Sequence, residues 1–334
     1  LQTCELGARH GLASVIYDPV GQGERAQGAG IRNADEHVRL GAYAALLGET
    51  TATYMLRDAE RVLDYLESRP DIDRMRVGVA GNSGGATMAA YLAVADDRVR
   101  AAAPSCYISS AREHLTACGP QDAEQQFFGD LTWGFNHAAL VLSAECPVLI
   151  NAAVEDFFQI EGARATFRLV REVAAKVGLP ADSYGLSEAP GPHAMSKTHR
   201  EAAVRFFLKH LADRDQAVAE GETASFGRAD VTVTPDGEVS RLPGFKSVYT
   251  TLEERFGREG VSAERAAEWA RPFVMRERTG ADAQAVRATL RGTLTPGRAA
   301  VLRIGGEPSD GEVTATLFAA GERIVPRSER KGKF

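Results

Sequence analysis

The stretch Met75-Arg76-Val77-Gly78-Val79-Ala80-Gly81-Asn82-Ser83-Gly84-Gly85 decides how this chain reads. Its first half is a short apolar run of the kind that forms a buried parallel strand. Ala86 to Val94, rich in Ala, Met and Leu with no Pro, then continues as a helix. Between them, Gly81-Asn82-Ser83-Gly84-Gly85 fits a nucleophile elbow, a strand-to-helix turn that holds a Ser in a strained backbone conformation. Where strand and helix close on each other, the residues two before and two after the Ser must lack bulk, and Gly81 and Gly85 meet that need. Such a short pattern also arises by chance in Gly-rich loops of unrelated α/β proteins, so its partners elsewhere in the chain carry the argument.

With 334 residues, 44% hydrophobic and 25% charged, the chain can bury a substantial core, and its length points to about two domains. A net charge of -6, with no basic cluster beyond the tail Arg330-Lys331-Gly332-Lys333, argues against nucleic acid as the main partner. No apolar stretch approaches the roughly 18 residues that cross a membrane, so no membrane partner is expected. No charged start followed by an apolar run marks a signal peptide, and cytoplasmic and secreted locations both stay open. Cys4, Cys106, Cys118 and Cys146 are scattered without zinc or CxxC spacing, and read as structural thiols. A Cys106 to Cys118 bridge is compatible only with a secreted protein.

Strand-like and helix-like segments alternate to about Asp213, which predicts an α/β fold with a mostly parallel sheet flanked by helices. The expected strands are Ala13 to Asp18, Met75 to Ala80, Val99 to Ala103, Pro147 to Val154 and Ser183 to Leu186. Helices are expected at Thr51 to Ser68, stopping before Pro70, at Ile160 to Val177, and at Ser196 to Leu211 with Ser196 as N-cap. A polar loop from Ser105 to about Gly119 and a helical piece near Asp122 to Phe128 lie between. The catalytic domain is therefore expected over 1–213, and 214–334 reads as a C-terminal α+β extension. There Gln216 to Ala229 has linker composition, and Val231 to Val239 reads as a β-hairpin around Pro235-Asp236-Gly237. Helices are expected near Val248 to Arg255, Ala263 to Arg271 and Ala283 to Arg291.

A Ser hydroxyl needs a His to take its proton, and that His needs a carboxylate to fix its tautomer. In α/β-hydrolases the chain order is Ser, acid, His. Glu155-Asp156 ends the strand after next from the elbow, where the acid belongs, and strand alternation turns the two carboxylates opposite ways. Asp156 is favoured, being the shorter group and able to be packed away from water by Phe157-Phe158. His193 follows the last short strand in the loop Glu188-Ala189-Pro190-Gly191-Pro192-His193, where this fold delivers its base. His10, His37, His114 and His137 precede the acid, and His199 and His210 lie on a helix, so these six read as packing or surface residues. The amide of Gly84 is the first donor to a tetrahedral oxyanion.

The set Tyr17-Asp18-Pro19-Val20-Gly21-Gln22-Gly23-Glu24-Arg25, Gly81-Asn82-Ser83-Gly84-Gly85, Gly119-Pro120-Gln121-Asp122-Ala123-Glu124-Gln125, Glu155-Asp156-Phe157-Phe158 and His193 resembles a known group. These are bacterial α/β-hydrolases of the acetyl xylan esterase type, loosely related to prolyl-oligopeptidase-like and dienelactone-hydrolase-like enzymes. The resemblance spans roughly residues 1 to 250 and implies Ser83 as nucleophile, Asp156 as acid and His193 as base. It implies hydrolysis of a small-molecule ester or acetylated carbohydrate, with no cofactor and no metal. The chain has Ala86 where a third glycine is frequent and Ala194 where glycine commonly follows the base.

The resemblance also implies that Ala13 to Asp18 is the fourth of eight strands, with the first three, and the loop carrying the second oxyanion donor, before Leu1. The chain is thus expected to be an N-terminally incomplete fragment. Asp18, Gln22, Glu24 and Arg25 read either as the mouth of the site or as a salt-bridged brace, and Asp122, Glu124 and Trp133 as pocket wall or as caps and lid packing. Two other functions stay open: a serine peptidase of prolyl-oligopeptidase type, and a non-catalytic α/β module that binds a sugar or a partner.

Overall fold

The structure is a computed structural model. It describes residues 1–28, 30–118, 122–126 and 136–259, and beyond them the strands Ala300–Gly305, Glu312–Ala319, Glu322–Ile324 and Gly332–Lys333. The chain forms two compact units, residues 1–42 with 49–248, and residues 43–48 with 249–334.

The first unit is built on four parallel strands in the order β1-β2-β3-β4: β1 Val77–Asn82, β2 Val99–Ser105, β3 Val148–Ala153 and β4 Tyr184–Ala189. The central pair, β2 and β3, is buried almost throughout, as expected of strands covered on both faces. Its side chains alternate: Ala102, Val148 and Ile150 join one core, while Ala101, Ala103 and Leu149 join another. The helices are α1 Gln2–Arg9, α2 Ala34–Ala45, α3 Thr51–Ser68, α4 Gly84–Ala95, α5 His137–Ser143, α6 Ile160–Val177 and α7 Lys197–Ala212. Helices α3 to α6 cover the first face through Ala59, Leu63, Ala90, Val141 and Val170. Helix α7 covers the second through Phe206, Phe207 and Leu211, and α1 docks on it with Leu6 against Val204 and Leu208.

Local chemistry sets the helix ends. Thr50 and Thr53 form a capping box at the start of α3, and α6 stops at Gly178 in the left-handed conformation (φ 77°). Ser196 caps α7, its hydroxyl accepting from the His199 amide. The expected boundaries of α3 and α6 match the observed ones.

Two expected elements are absent. Ala13 to Asp18 forms no strand: β1 is the edge of the sheet, so this apolar run has no ladder, and Val15 and Ile16 are exposed while Tyr17 packs onto the core. Val231 to Val239 forms no hairpin. Arg228–Val231 is a helical turn to which Thr232 bonds back, and the Glu24 carboxylate takes the Val233 and Thr234 amides, so the tertiary anchor overrides β-propensity. Residues 214–248 are also tied to the first unit by the Arg200–Glu220 and Arg32–Glu238 ion pairs. Of the helical piece at Asp122 to Phe128, the described part is one turn, Ala123–Gln125, capped by the Asp122 carboxylate. The Ala263 to Arg271 and Ala283 to Arg291 helices lie outside the described residues.

The second unit has helix α8, Val248–Glu259, nearly all of which belongs to it. Tyr43 and Tyr249 meet edge to face with centroids 5.2 Å apart, and Leu47 and Leu252 are buried. Its strands, β5 Ala300–Gly305, β6 Glu312–Ala319 and β7 Glu322–Ile324, form an antiparallel sheet, and β8 Gly332–Lys333 pairs with β6.

At the β1 to α4 turn the two glycines differ. A Cβ on Gly81 would stand 2.2 Å from the backbone carbonyl of Gly85, whereas a Cβ on Gly85 meets nothing within 4 Å. Gly81→Ala should therefore destabilise the protein by on the order of 3 kcal/mol, and Gly85→Ala should be close to neutral. Denaturant midpoints of the two variants check this, and equal midpoints would contradict it.

Candidate active site

Ser83 stands between the end of β1 and the start of α4 with φ 56° and ψ -122°. For a residue with a Cβ this backbone is strained, and the Gly81–Gly85 approach holds it in place. Its amide donates to the Ser105 carbonyl at 2.9 Å, which anchors the turn to β2. Gly84 opens α4, so its amide belongs to the leading donors that have no partner within a helix.

Two strands further, the residues after β3 and β4 meet. The Asp156 carboxylate takes His193 Nδ1 at 2.8 and 3.0 Å and the Phe158 amide at 3.0 Å. The Asp156 side chain is 1% exposed and that of His193 21%. Burial alone would raise Asp156, but the hydrogen bonds from His193, Phe158 and Cys106 outweigh it and hold the carboxyl below its ordinary range. It is thus Asp156, not Glu155, that faces the imidazole, and Phe157 stacks on that ring at 4.3 Å. With Nδ1 committed to the carboxylate, Nε2 is left as the acceptor.

The loop that carries His193 is pinned one residue on. The Ala194 carbonyl accepts from the Cys106 thiol at 3.5 Å and from His199 Nδ1 at 3.2 Å. Cys106 follows β2 with φ 56°, beside Asp156, and burial pushes its thiol up to about 12. It is a free thiol, and the side chain of Cys118, its expected partner in a secreted protein, lies outside the described residues. Among the described residues no hydrogen bond joins Ser83 to His193, a contact that often tightens only with substrate bound. Phe158 bridges them in space: it lines the pocket over Ser83, and its ring centroid is 5.9 Å from that of His193.

That pocket has a volume of about 300 Å³ and is lined by Gln22, Asn82, Ser83, Gly84, Gly85, Asp122, Glu124, Gln125 and Phe158. Of the loop motif read at Asp18 to Arg25, only Gln22 reaches it. Asp18 accepts from the Glu24 amide, Arg25 pairs with Asp58 at 2.8 Å, and Glu24 binds Thr234, so these three are the brace. Asp122 and Glu124 are pocket wall, and Asp122 also caps its turn. Trp133 lies outside the described residues.

His37 is the residue that sequence reasoning set aside. It is fully buried on α2, with Nδ1 2.8 Å from Asp122 and 3.5 Å from Glu124. Burial would lower it, but hydrogen bonds to Asp122 and then Glu124 prevail and raise it to about 9. His37 and Asp122 are 85 residues apart, and neither carries a local pattern that announces the pair. By contrast His137, also buried, accepts from the Ser109 amide and is pushed down to about 3 by burial, a packing residue as expected. Two sets of side chains have donor atoms within 4.8 Å of one another, Cys106 with Asp156 and His193, and His37 with Asp122 and Glu124. In the second, the imidazolium itself supplies the positive charge the carboxylates need.

No family model matches the chain. A curated protein of Bacillus subtilis (strain 168), named "Putative hydrolase YtaP", is 29% identical over 172 residues, covering 50% of this chain and 56% of that protein. The chain thus spans little more than half the length of that relative. Among solved structures it is similar to the methylesterase BT1017, at TM-score 0.45 and 23% identity over 69% of this chain and 50% of that one. A carbohydrate esterase family 15 glucuronoyl esterase from Caldicellulosiruptor kristjansonii gives TM-score 0.45 at 17% identity, covering 63% and 64%.

The charge of His37 makes the pocket wall sensitive to pH. Its folded-state value, about 9 against an ordinary 6.5, means that the folded protein holds this proton more tightly than the unfolded chain. The contribution to stability is complete below about pH 6.5 and is lost as pH rises through about 9; its ceiling is on the order of 3 kcal/mol. Urea unfolding at pH 6 and pH 9.5 should show that decline in the wild type and a flatter profile in His37→Gln. An equally steep decline in the variant would remove His37 as its source.

Proposed function

We propose that this chain is a serine carboxylic ester hydrolase that works through an acyl-enzyme on Ser83, with Asp156 as acid and His193 as base. The observation that carries the reading is the strained Ser83 backbone at the strand-to-helix turn, on a sheet whose next-but-one and last strands deliver a hydrogen-bonded Asp156–His193 pair. A relative named as a hydrolase supports the same broad class. In this reading His193 Nε2 takes the Ser83 proton as the oxygen attacks the ester carbonyl, and Asp156 stabilises the imidazolium that forms. The Gly84 amide, at the positive end of α4, receives the oxyanion. The imidazolium then gives its proton to the leaving alcohol, and water, activated by the same His193, releases the acid. All of this machinery lies within residues 1–213, and no described residue of the extension at 214–334 contributes a group to it.

Two finer features go with this activity. Acetylated carbohydrate, as in acetyl xylan esterases, is the proposed substrate class, supported by a small pocket where Gln22, Asn82, Asp122 and Gln125 offer hydrogen bonds to hydroxyl groups. A further strand between residues 13–18 and β1 is proposed from the open edge of β1 and from Val15 and Ile16, 44% and 63% exposed, which such a strand would cover.

Ser83→Ala should lower turnover of 4-nitrophenyl acetate by on the order of 10⁴ to 10⁶. It should also abolish labelling by a fluorophosphonate probe. Unchanged hydrolysis in the variant would remove the assignment, and faster cleavage of a proline-containing peptide amide than of the ester would move it to a peptidase.

A further inference from the structure

We propose that Glu124 is a further catalytic residue of the site built on Ser83: its Oε1, carrying a proton, donates a hydrogen bond to the oxyanion that forms beside the Gly84 amide. This rests on the reading of Ser83 as nucleophile. The first support is position. Glu124 Oε1 lies 2.7 Å from where a Cβ on Gly84 would stand, so the carboxyl sits directly over the residue that follows the nucleophile, and only a glycine leaves room for it. Ser83, Gly84 and Glu124 line one pocket, and the Glu124 side chain is 1% exposed.

The second support is charge. His37 and Asp122 make the close ion pair, at 2.8 Å, which leaves Glu124 as a second carboxylate against one cation in a buried place. Two adjacent buried carboxylates cannot both ionise cheaply, so one proton stays with the pair. Burial, and then Asp122 beside it, raise Glu124 above the ordinary carboxylate range, while the hydrogen bond from His37 holds Asp122 below its own despite burial. The proton therefore belongs to Glu124. Its Oε2 faces His37 at 3.5 Å and the carboxyl is also hydrogen-bonded to Asp122, so Oε1, the oxygen over Gly84, is the one that turns the shared proton toward the pocket. Among the described residues, the other titratable group facing Glu124 is Tyr107, after β2, which burial keeps neutral well above its ordinary value, and Glu36 on α2 is turned to the Gln27 amide. A neutral carboxyl aimed at developing negative charge donates without being consumed: the proton stays on Glu124 throughout.

The test is kcat/KM for 4-nitrophenyl acetate against pH in the full chain, for the wild type, Glu124→Gln and Glu124→Ala, with circular dichroism as the check on folding and fluorophosphonate labelling of the wild type as the check on Ser83. The Glu124→Gln variant keeps a donor over Gly84 and a carbonyl toward His37. It should stay within about tenfold of the wild type, whereas Glu124→Ala should lose roughly 10²-fold. The wild type should also lose activity as rising pH takes the proton from Glu124, and Glu124→Gln should lack that step while keeping any loss near pH 9 that comes from His37. Equal losses in both variants, wild-type activity in Glu124→Ala, or a pH profile of Glu124→Gln identical to that of the wild type would overturn the proposal. So would a chelator-sensitive activity restored by a divalent cation, which would make the cluster a metal site. If Glu124→Ala does not fold, the pH profile of Glu124→Gln decides. Wild-type protein that neither labels nor hydrolyses would bring down the Ser83 reading and this one together; a Ser83-dependent enzyme indifferent to Glu124 would bring down this one alone.

Discussion

The closure of Gly81 on Gly85 is the constraint from which the site follows. With 2.2 Å between a hypothetical Gly81 Cβ and the Gly85 carbonyl, strand and helix touch through bare backbone, and the chain between them has to turn through a strained residue. The parallel sheet then passes the geometry sideways. Ser83 donates its amide to Ser105, Cys106 donates to Asn151, and Val154 donates to Ala189, so each strand's exit is hooked to the carbonyl of the next. Beneath these exits Asn82, Ser105, Asn151 and Ser187 stand in register across the sheet, and Asn151 donates to the Ser105 hydroxyl at 3.0 Å. The relation between the elbow and the Asp156–His193 pair is therefore a matter of sheet register rather than of loop packing.

The same unit holds two carboxylate–imidazole pairs whose surroundings give them different chemistry. His193 keeps part of its ring at the surface, has its Nδ1 on one buried carboxylate, and presents its other nitrogen away from it. His37 is fully buried between two carboxylates, and its Nε2 is closed in against Gly21, where a Cβ would stand 3.3 Å away. Raised to about 9, it is a fixed positive charge under neutral conditions. Both pairs have a His and an Asp at 2.8 Å, so distance alone does not distinguish them; the number of carboxylates and the access of the second nitrogen do.

What could be read from the sequence was what depends on local chemistry. Thr51 to Ser68 and Ile160 to Val177 have an apolar face and clear stops, and Ser83, Asp156 and the His193 loop each follow a strand end. Ala13 to Asp18 and Val231 to Val239 carried strand composition, but a strand exists only with a ladder partner, which composition does not supply. His37 was invisible for a related reason: its character comes from Asp122 and Glu124, brought to it by the fold, and alone on α2 it reads as any helical histidine.

The loop from Asp18 to Arg25 shows how such a distant arrangement is made dependable. A Gly23 Cβ would overlap the Asp18 carboxylate, so Gly23 at φ 50° lets that carboxylate fold under the turn and hold the Glu24 amide. Arg25 ties the turn to Asp58 on α3, which also accepts from the Val20 amide, and Gly21 at φ 87° leaves space into which His37 and Glu36 fit. The turn thus seats α2, α2 seats His37, and His37 holds Asp122 and Glu124 at the pocket wall while Gln22 reaches the pocket from the turn itself. Most of this motif never touches the pocket. Its residues act by setting the electrostatics of groups that do, so the surroundings of Ser83 are built as much by the turn before α2 as by the sheet that carries Ser83.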